Sequence, residues 1–337
     1  METTTAAAHQ AEAARLAENI ETLGKRLQQV RSAIGVMIFG QDQVIDQTLI
    51  TLLAGGHALL VGVPGLAKTR LAETLGKVFG LEERRVQCTP DLMPADIIGS
   101  EVLEEGEDGR RSFRFIPGPI FAQVLMADEI NRASPRTQSA LLQAMQERRV
   151  TVAGHPHDLP APFHVLATQN PLEQEGTYPL PEAQLDRFLM QINVSYPGYD
   201  AEREMLVMTT GAREQLAEQV FSAEELLRAQ KLVRQMPVGD KIVDAILGIV
   251  RRGRPEDSDL PEVRAHVAWG PGPRASQALM LGVRARALLQ GRLSPSIDDI
   301  LEITPAILRH RMALNFAARA DGVALDDVIS RLMEPYA

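Results

Sequence analysis

An apolar run that ends in a glycine-rich turn constrains this chain more than any other feature. Residues 57–69 read HALLVGVPGLAKT, and a helical pattern begins at Lys68. Glycines allow backbone N–H groups to turn inward around anionic oxygens, and the following helix offers its positive N-terminal end to the same anion. The segment therefore predicts a phosphate-binding loop after a buried strand, although an ordinary strand–turn–helix corner has the same outline.

The positions of this loop have expected roles. Lys68 would reach the outer phosphates of a nucleotide, and the hydroxyl of Thr69 would ligate Mg²⁺. Ala67 stands where the general pattern has a second glycine. A residue with a Cβ adopts positive φ less readily than glycine does. The residues expected to bind the nucleotide are Gly62, Val63, Pro64, Gly65, Leu66, Ala67, Lys68, Thr69 and Arg70.

Length and charge narrow the class of protein. A chain of 337 residues is long enough for two domains, and its net charge of −9 argues against nonspecific nucleic-acid binding as the main role. The single cysteine, Cys88, excludes an intrachain disulfide framework. Because no signal peptide or long apolar run is evident, we expect a cytoplasmic protein without a membrane span, with Cys88 in a core.

Short apolar runs alternate with helical patterns in the first part of the chain. Such runs are typical of parallel strands covered on both faces, so the fold class expected is α/β, with a doubly wound parallel sheet. The predicted strands are 57–63, 86–89, 123–128 and 164–168, and the predicted helices are 68–79, 135–147 and 182–188. Two inserted hairpins are expected at about 98–115, with its turn at 105–109, and at about 149–159, with its turn at 153–154.

The character of the sequence changes near residue 197. We expect a disordered N-terminus at 1–11, an α/β nucleotide-binding core at 12–196 and an all-helical domain at 197–337. The core would open with a helical pattern from Leu16 to Met37. The predicted helices of the second domain are 222–235, 240–252, 274–289 and 296–310, and two of them begin at serines followed by acids, as helix starts commonly do.

Two adjacent acids end the predicted strand at 123–128. Asp128 would hold Mg²⁺, directly or through water, and Glu129 would polarise the attacking water. Adjacent acids could equally begin a loop, but a phosphate loop earlier in the chain favours the metal site.

A polar turn ends the predicted strand at 164–168. Asn170 would orient water against the terminal phosphate. An asparagine before proline, here Pro171, is also typical of a plain turn.

Several longer strings occur in one characteristic order. They are GVPGLAKT at 62–69, ADEINRA at 127–133, QSALLQAMQE at 138–147, ATQNP at 167–171 and EGTYPLPEAQLDRF at 175–188. Together they resemble the MoxR family of AAA+ ATPases, from about Gly40 to the end of the chain. Members of that family also have alanine at the position of Ala67. The resemblance implies an AAA+ core and helical lid, a hexameric ring, ATP and Mg²⁺ as ligands, and hairpins at the two predicted insertions.

The resemblance also assigns residues that the general motifs do not reach. Arg187 matches the arginine finger that contacts the ATP of a neighbouring subunit. Arg274 matches the sensor-2 arginine of the lid, although Gly272 stands where members usually have serine. Gln41 matches the segment near the adenine. Arg132 is left open between a role across the subunit interface and a local ion pair.

Three functions are compatible with these motifs. The resemblance implies a chaperone-like ATPase that remodels or activates a partner, often a protein with a von Willebrand factor A domain. Related AAA+ clades with the same hairpins translocate DNA, but the acidic composition makes nucleic acid an unlikely partner here. A non-catalytic, nucleotide-gated scaffold is the third alternative, and the intact Glu129, Asn170 and Arg187 weigh against it.

Overall fold

Helices and parallel strands alternate along the chain. The computed structural model describes residues 2–105, 111–173, 175–210 and 217–337, with side chains from residue 14 onward. The helices are α1 Glu2–Gly35, α2 Asp42–Leu53, α3 Lys68–Phe79, α4 Pro94–Ile98, α5 Pro135–Glu147, α6 Glu182–Leu185, α7 Tyr199–Thr209, α8 Ala223–Gln235, α9 Asp240–Arg252, α10 Pro261–His266, α11 Pro273–Leu289, α12 Ile297–Leu308, α13 Phe316–Ala320 and α14 Leu325–Met333. The strands are β1 Ala58–Val61, β2 Glu83–Gln87, β3 Gly99–Glu105, β4 Arg111–Pro117, β5 Val124–Asp128, β6 Arg149–Val152, β7 His155–Asp158, β8 His164–Gln169, β9 Met190–Asn193, β10 Val267–Trp269 and β11 Ala313–Leu314.

The chain divides into two compact units. The sheet unit consists of residues 34–44 and 55–223, and the helical unit consists of residues 1–33, 45–54 and 224–337. This division differs from the predicted domains of 12–196 and 197–337. Helix α1 belongs with the C-terminal helices, since the side-chain amide of Gln28 donates to the carbonyl of Leu289 at 2.6 Å. Segment order along the chain carries no information on such a long-range contact.

The sheet unit is built on five parallel strands. Their order is β2–β5–β8–β1–β9. Strands β1, β5 and β8 lie inside the sheet and are almost wholly buried, as their apolar sequences predict. The sequence missed β9, because four residues that mix polar and apolar side chains give little periodic signal. The helix predicted at 182–188 is the single turn α6, which ends before β9 begins.

Strand β2 begins three residues earlier than predicted and ends two residues earlier. It runs Glu83–Gln87 instead of 86–89, and it includes three charged residues. Because β2 lies at the edge of the sheet, only one of its sides is paired, and such strands tolerate charges. Cys88 follows this strand and is buried, as expected.

Two antiparallel hairpins occupy the segments where the sequence predicts insertions. Strands β3 and β4 pair from Gly99 and Pro117 outward, and most of the turn predicted at 105–109 lies outside the described residues. Strands β6 and β7 are joined by Ala153 and Gly154, which both have positive φ. The rings of Phe115 and His157 stack at 3.9 Å, so the two hairpins contact each other.

The helical unit agrees with most of the predicted helices and departs in two places. A capping box between Ser296 and Asp299 begins α12, as the serine–acid pattern predicts. Strands β10 and β11 form a short antiparallel pair, so the helical unit also contains a two-stranded sheet, which the sequence did not predict. Helix α1 begins at Glu2, whereas disorder was predicted over 1–11; the alanine-rich segment has high helix propensity. Among the described residues no helix has the length and apolar character to cross a bilayer.

Candidate functional site

The glycine-rich loop lies between β1 and α3 at the carboxyl end of the sheet. Gly65 and Ala67 have φ of 84° and 57°, so the loop uses the left-handed region twice. Ala67 is the residue before α3, and no side chain caps the helix there. The first amides of α3 therefore remain available to an anion, and the helix dipole adds positive potential at the same point.

Lys68 folds back over the loop. Its Nζ donates to the carbonyl oxygens of Gly62 at 2.5 Å and Val63 at 2.8 Å. Burial lowers the pKa of Lys68, and the charges of Asp128 and Glu129 oppose that shift. The ammonium group thus lies close to both acids and is already oriented by the loop.

The two acids are tied together by one hydroxyl. Thr168 Oγ1 donates to Asp128 Oδ1 at 2.5 Å and accepts the backbone N–H of Glu129 at 2.8 Å. Glu129 itself has a φ of 54°, which is strained for a residue with a side chain. The sequence did not single out Thr168. The string ATQNP at 167–171 includes it, but its contact with Asp128 depends on β8 lying beside β5 in the sheet.

Both acids also have partners on neighbouring side chains. Arg85 Nη2 lies 2.6 Å from Asp128 Oδ2, and Gln87 Nε2 donates to Glu129 Oε2 at 2.9 Å. Arg132 Nη1 donates to the same Glu129 oxygen at 3.1 Å. The structure therefore places Arg132 in a local ion pair, one of the two roles left open by the sequence. Sequence reasoning missed Arg85 and Gln87, although their spacing puts both on one face of β2.

Asn170 closes a turn and also lines a cavity. Its Oδ1 accepts the N–H of Leu172 at 3.1 Å, which closes the turn after β8. The residue is also buried and lines the same cavity as the acids. The turn thus fixes the amide at the wall of the cavity.

One cavity collects most of the expected residues. Its volume is about 400 Å³, and its lining comprises Pro64, Gly65, Leu66, Ala67, Lys68, Thr69, Arg70, Asp128, Glu129, Thr168 and Asn170. Gln41 is tied to this loop by a 3.4 Å hydrogen bond from its amide to the carbonyl of Leu66. Arg187 and Arg274 are not among the lining residues. Arg187 follows α6 and is half-buried, and Arg274 is an exposed residue of α11 in the helical unit.

The oxygen donors in the cavity suit Mg²⁺. Thr69, which carries a hydroxyl, and Asp128, which carries a carboxylate, both belong to the lining. Among the described residues no group of three or more His, Cys, Asp or Glu side chains could hold a metal by itself. Mg²⁺ commonly binds through one or two protein oxygens together with substrate phosphates, so this sparse donor set fits the ion.

Comparison with known proteins agrees with this geometry. Residues 57–190 match the model of the ATPase family associated with various cellular activities (AAA), and residues 262–332 match the AAA lid domain. Chaperone MoxR1 of Mycobacterium tuberculosis is 43% identical over 96% of this chain and 84% of its own. Protein MoxR of Methylorubrum extorquens is 32% identical over 83% and 85%. A crystal structure of a candidate ATPase from Cytophaga hutchinsonii superposes with a TM-score of 0.87 and 34% identity, covering 96% of this chain and 98% of that one.

Proposed function

The chain belongs to the MoxR family of AAA+ ATPases, and we propose that it binds ATP in the cavity beside Lys68 and hydrolyses it with Mg²⁺. The observation that carries the proposal is the convergence of Lys68, Thr69, Asp128, Glu129 and Asn170 on one cavity of about 400 Å³. A volume of that order accommodates a small-molecule ligand.

Each residue has a distinct task in the proposed reaction. The loop amides and Lys68 bind the phosphates, and Thr69 and Asp128 hold Mg²⁺. When bound, the ion neutralises charge on the phosphate oxygens. Glu129 accepts the proton of the attacking water, and Asn170 orients that water. Gln41, whose amide bonds to the loop at Leu66, would lie near the adenine, as the family resemblance implies.

The site is incomplete within one chain under this proposal. Transferring a phosphoryl group develops negative charge that a guanidinium stabilises well. Arg187 would supply it to the site of the next subunit, and Arg274 would contact the terminal phosphate from the lid. The role of Arg187 requires a homo-oligomer, for which we propose the hexameric ring that the family resemblance implies.

The output proposed for this ATPase is mechanical work on another protein. A relative that is 43% identical is named a chaperone. We therefore propose a chaperone-like role in remodelling or activating a partner, with a von Willebrand factor A domain protein as the kind of partner that the family resemblance implies.

Replacing the proposed base separates binding from hydrolysis. In Glu129→Gln we expect ATP affinity to stay close to that of the parent while turnover falls by about 10²- to 10⁴-fold, the usual contribution of general acid–base catalysis. Equilibrium binding of a fluorescent ATP analogue and phosphate release measure the two quantities. Glu173→Gln is the matched control, since Glu173 is a partly exposed acid that also faces Arg132, at 3.9 Å. Turnover by Glu129→Gln at the parental rate would exclude the mechanism.

A further inference from the structure

The carboxylate of Asp128 is neutralised by an arginine of its own chain. Arg85 Nη2 lies 2.6 Å from Oδ2, while the hydroxyl of Thr168 donates to Oδ1. The Asp128 side chain is only 14% exposed. A mostly buried carboxylate is costly without a partner, so Arg85 compensates a charge that the fold withdraws from water.

The edge strand β2 places this arginine. Strands β2 and β5 pair in parallel, with Gln87 opposite Asp128 and Arg85 opposite Met126. Side chains two residues apart in a strand share a face, so Arg85 and Gln87 both point toward the acids. Arg84 lies on the other face of β2, where it pairs with Glu82 at 2.9 Å.

The arginine also has room and a second partner away from the carboxylate. Its side chain is 48% exposed, and the same Nη2 donates to Gln87 Oε1 at 3.1 Å. Moving off Asp128 would therefore not leave the guanidinium unsolvated. A metal ion that binds Oδ2 would lie beside this guanidinium, and two cations at such short range repel each other.

We propose that Arg85 is a positioning residue that holds Asp128 before the metal binds and yields Oδ2 when the metal arrives. The inference rests on the proposed function, because it takes Asp128 as the ligand of Mg²⁺. Arg85 then lowers the affinity of the site for the ion by competing for one oxygen. An arginine with a purely structural role would act in the opposite direction, since its loss would disorder the carboxylate and weaken metal binding.

Direct metal binding distinguishes these two directions. Mn²⁺ can replace Mg²⁺ as a paramagnetic probe, titrated by electron paramagnetic resonance in the presence of a non-hydrolysable ATP analogue. In Arg85→Ala we expect the Kd for Mn²⁺ to fall about three- to fivefold, the size of the effect of a partly exposed ion pair. Arg84→Ala is the matched control, one residue away on the opposite face, and it should leave the Kd unchanged.

Further variants keep the test decisive. Arg85→Gln retains a hydrogen-bond donor without the charge, so its Kd should also fall, and it decides the question if Arg85→Ala does not fold. An unchanged or raised Kd in these folded variants would overturn the role of Arg85 and leave the proposed function intact. Parental Mn²⁺ affinity in Asp128→Asn would instead show that Asp128 is not the ligand, which removes the proposed metal site and this inference together.

Discussion

A single hydroxyl organises the two acids of the site. Thr168 is almost fully buried, and its Oγ1 bonds to the carboxylate of Asp128 and to the backbone N–H of Glu129. The second bond helps to hold Glu129 in its left-handed conformation, which carries a cost for any residue with a Cβ. Residues in such conformations persist where the surroundings determine them, and they concentrate at functional sites.

Ala67 has the same kind of backbone strain, so replacing it with glycine should stabilise the chain. A non-glycine residue in the left-handed region costs about 1–2 kcal/mol, partly offset by the greater freedom of glycine in the unfolded chain. We expect Ala67→Gly to raise the free energy of unfolding of the nucleotide-free chain by up to about 1 kcal/mol. Thermal unfolding followed by circular dichroism measures this as a higher midpoint.

Gly65 offers the reciprocal change in the same loop. It has a φ of 84°, and a Cβ added there meets no atom within 4 Å. Gly65→Ala therefore introduces backbone strain without a clash, and after the same offset we expect the midpoint to fall by the equivalent of up to about 1 kcal/mol. Equal midpoints for Gly65→Ala and the parent would show that loop strain does not limit stability.

Among the secondary-structure elements, two buried histidines lie at the amino ends of the inner strands β1 and β8, the ends away from the glycine-rich loop. His57 Nδ1 accepts the N–H of Val165 at 2.9 Å, so Nε2 carries the proton and donates to the carbonyl of Met145 at 3.2 Å. His164 Nδ1 bonds to the carbonyl of Gly56 at 2.8 Å. Burial lowers the pKa of His57 to about 3 and that of His164 to about 4. Both rings are therefore neutral parts of the core.

These lowered pKa values predict acid sensitivity. In the unfolded chain these histidines take up protons near pH 6.5, whereas in the folded chain they stay neutral at that pH. Their contribution to the free energy of unfolding is therefore complete above pH 6.5 and is lost as the pH falls toward 4. Each histidine should account for about 1.4 kcal/mol per pH unit in that window. Unfolding by urea at pH 7, 6 and 5 measures the slope.

A variant isolates this effect from that of the acidic residues. His57→Gln keeps a donor and an acceptor without a group that titrates in this range. Its stability should depend less steeply on pH than that of the parent between pH 6.5 and 5. Identical slopes for the two chains would show that His57 is not the source of the acid sensitivity.

For the whole molecule, the proposed catalytic role of Arg187 depends on assembly into a ring. This residue is half-buried and does not line the cavity of its own chain. Removing an arginine finger costs about 10³-fold or more in turnover, so Arg187→Ala should be nearly inactive. If Arg187 acts on the next subunit, mixing Arg187→Ala with Glu129→Gln would form interfaces in which an intact finger meets an intact base.

The mixture should therefore hydrolyse ATP faster than the sum of its two inactive components. Phosphate release, measured over a range of mixing ratios, reports this recovery. Arg136→Ala is a suitable control, because Arg136 is an exposed arginine of α5 in the same unit and should leave turnover unchanged. Two inactive variants that stay inactive at every ratio would exclude action across an interface.

Local chemistry explains why some features of this protein could be read from its residues. A phosphate loop needs glycine early in the turn and adjacent lysine and threonine at its end, and a buried central strand needs an unbroken apolar run. Both leave a direct trace, so the loop, the acids Asp128 and Glu129 and the three inner strands could be predicted from the residues alone.

Contacts between side chains that are distant in the sequence depend on the fold of the whole chain. Arg85 and Thr168 contact Asp128 because β2 and β8 flank β5, and the sheet order of β2–β5–β8–β1–β9 leaves no local trace in the sequence. Helix α1 joins the C-terminal helices for the same reason. Periodicity reports the environment of each segment, whereas strand order and long-range packing depend on how all segments bury their apolar faces together.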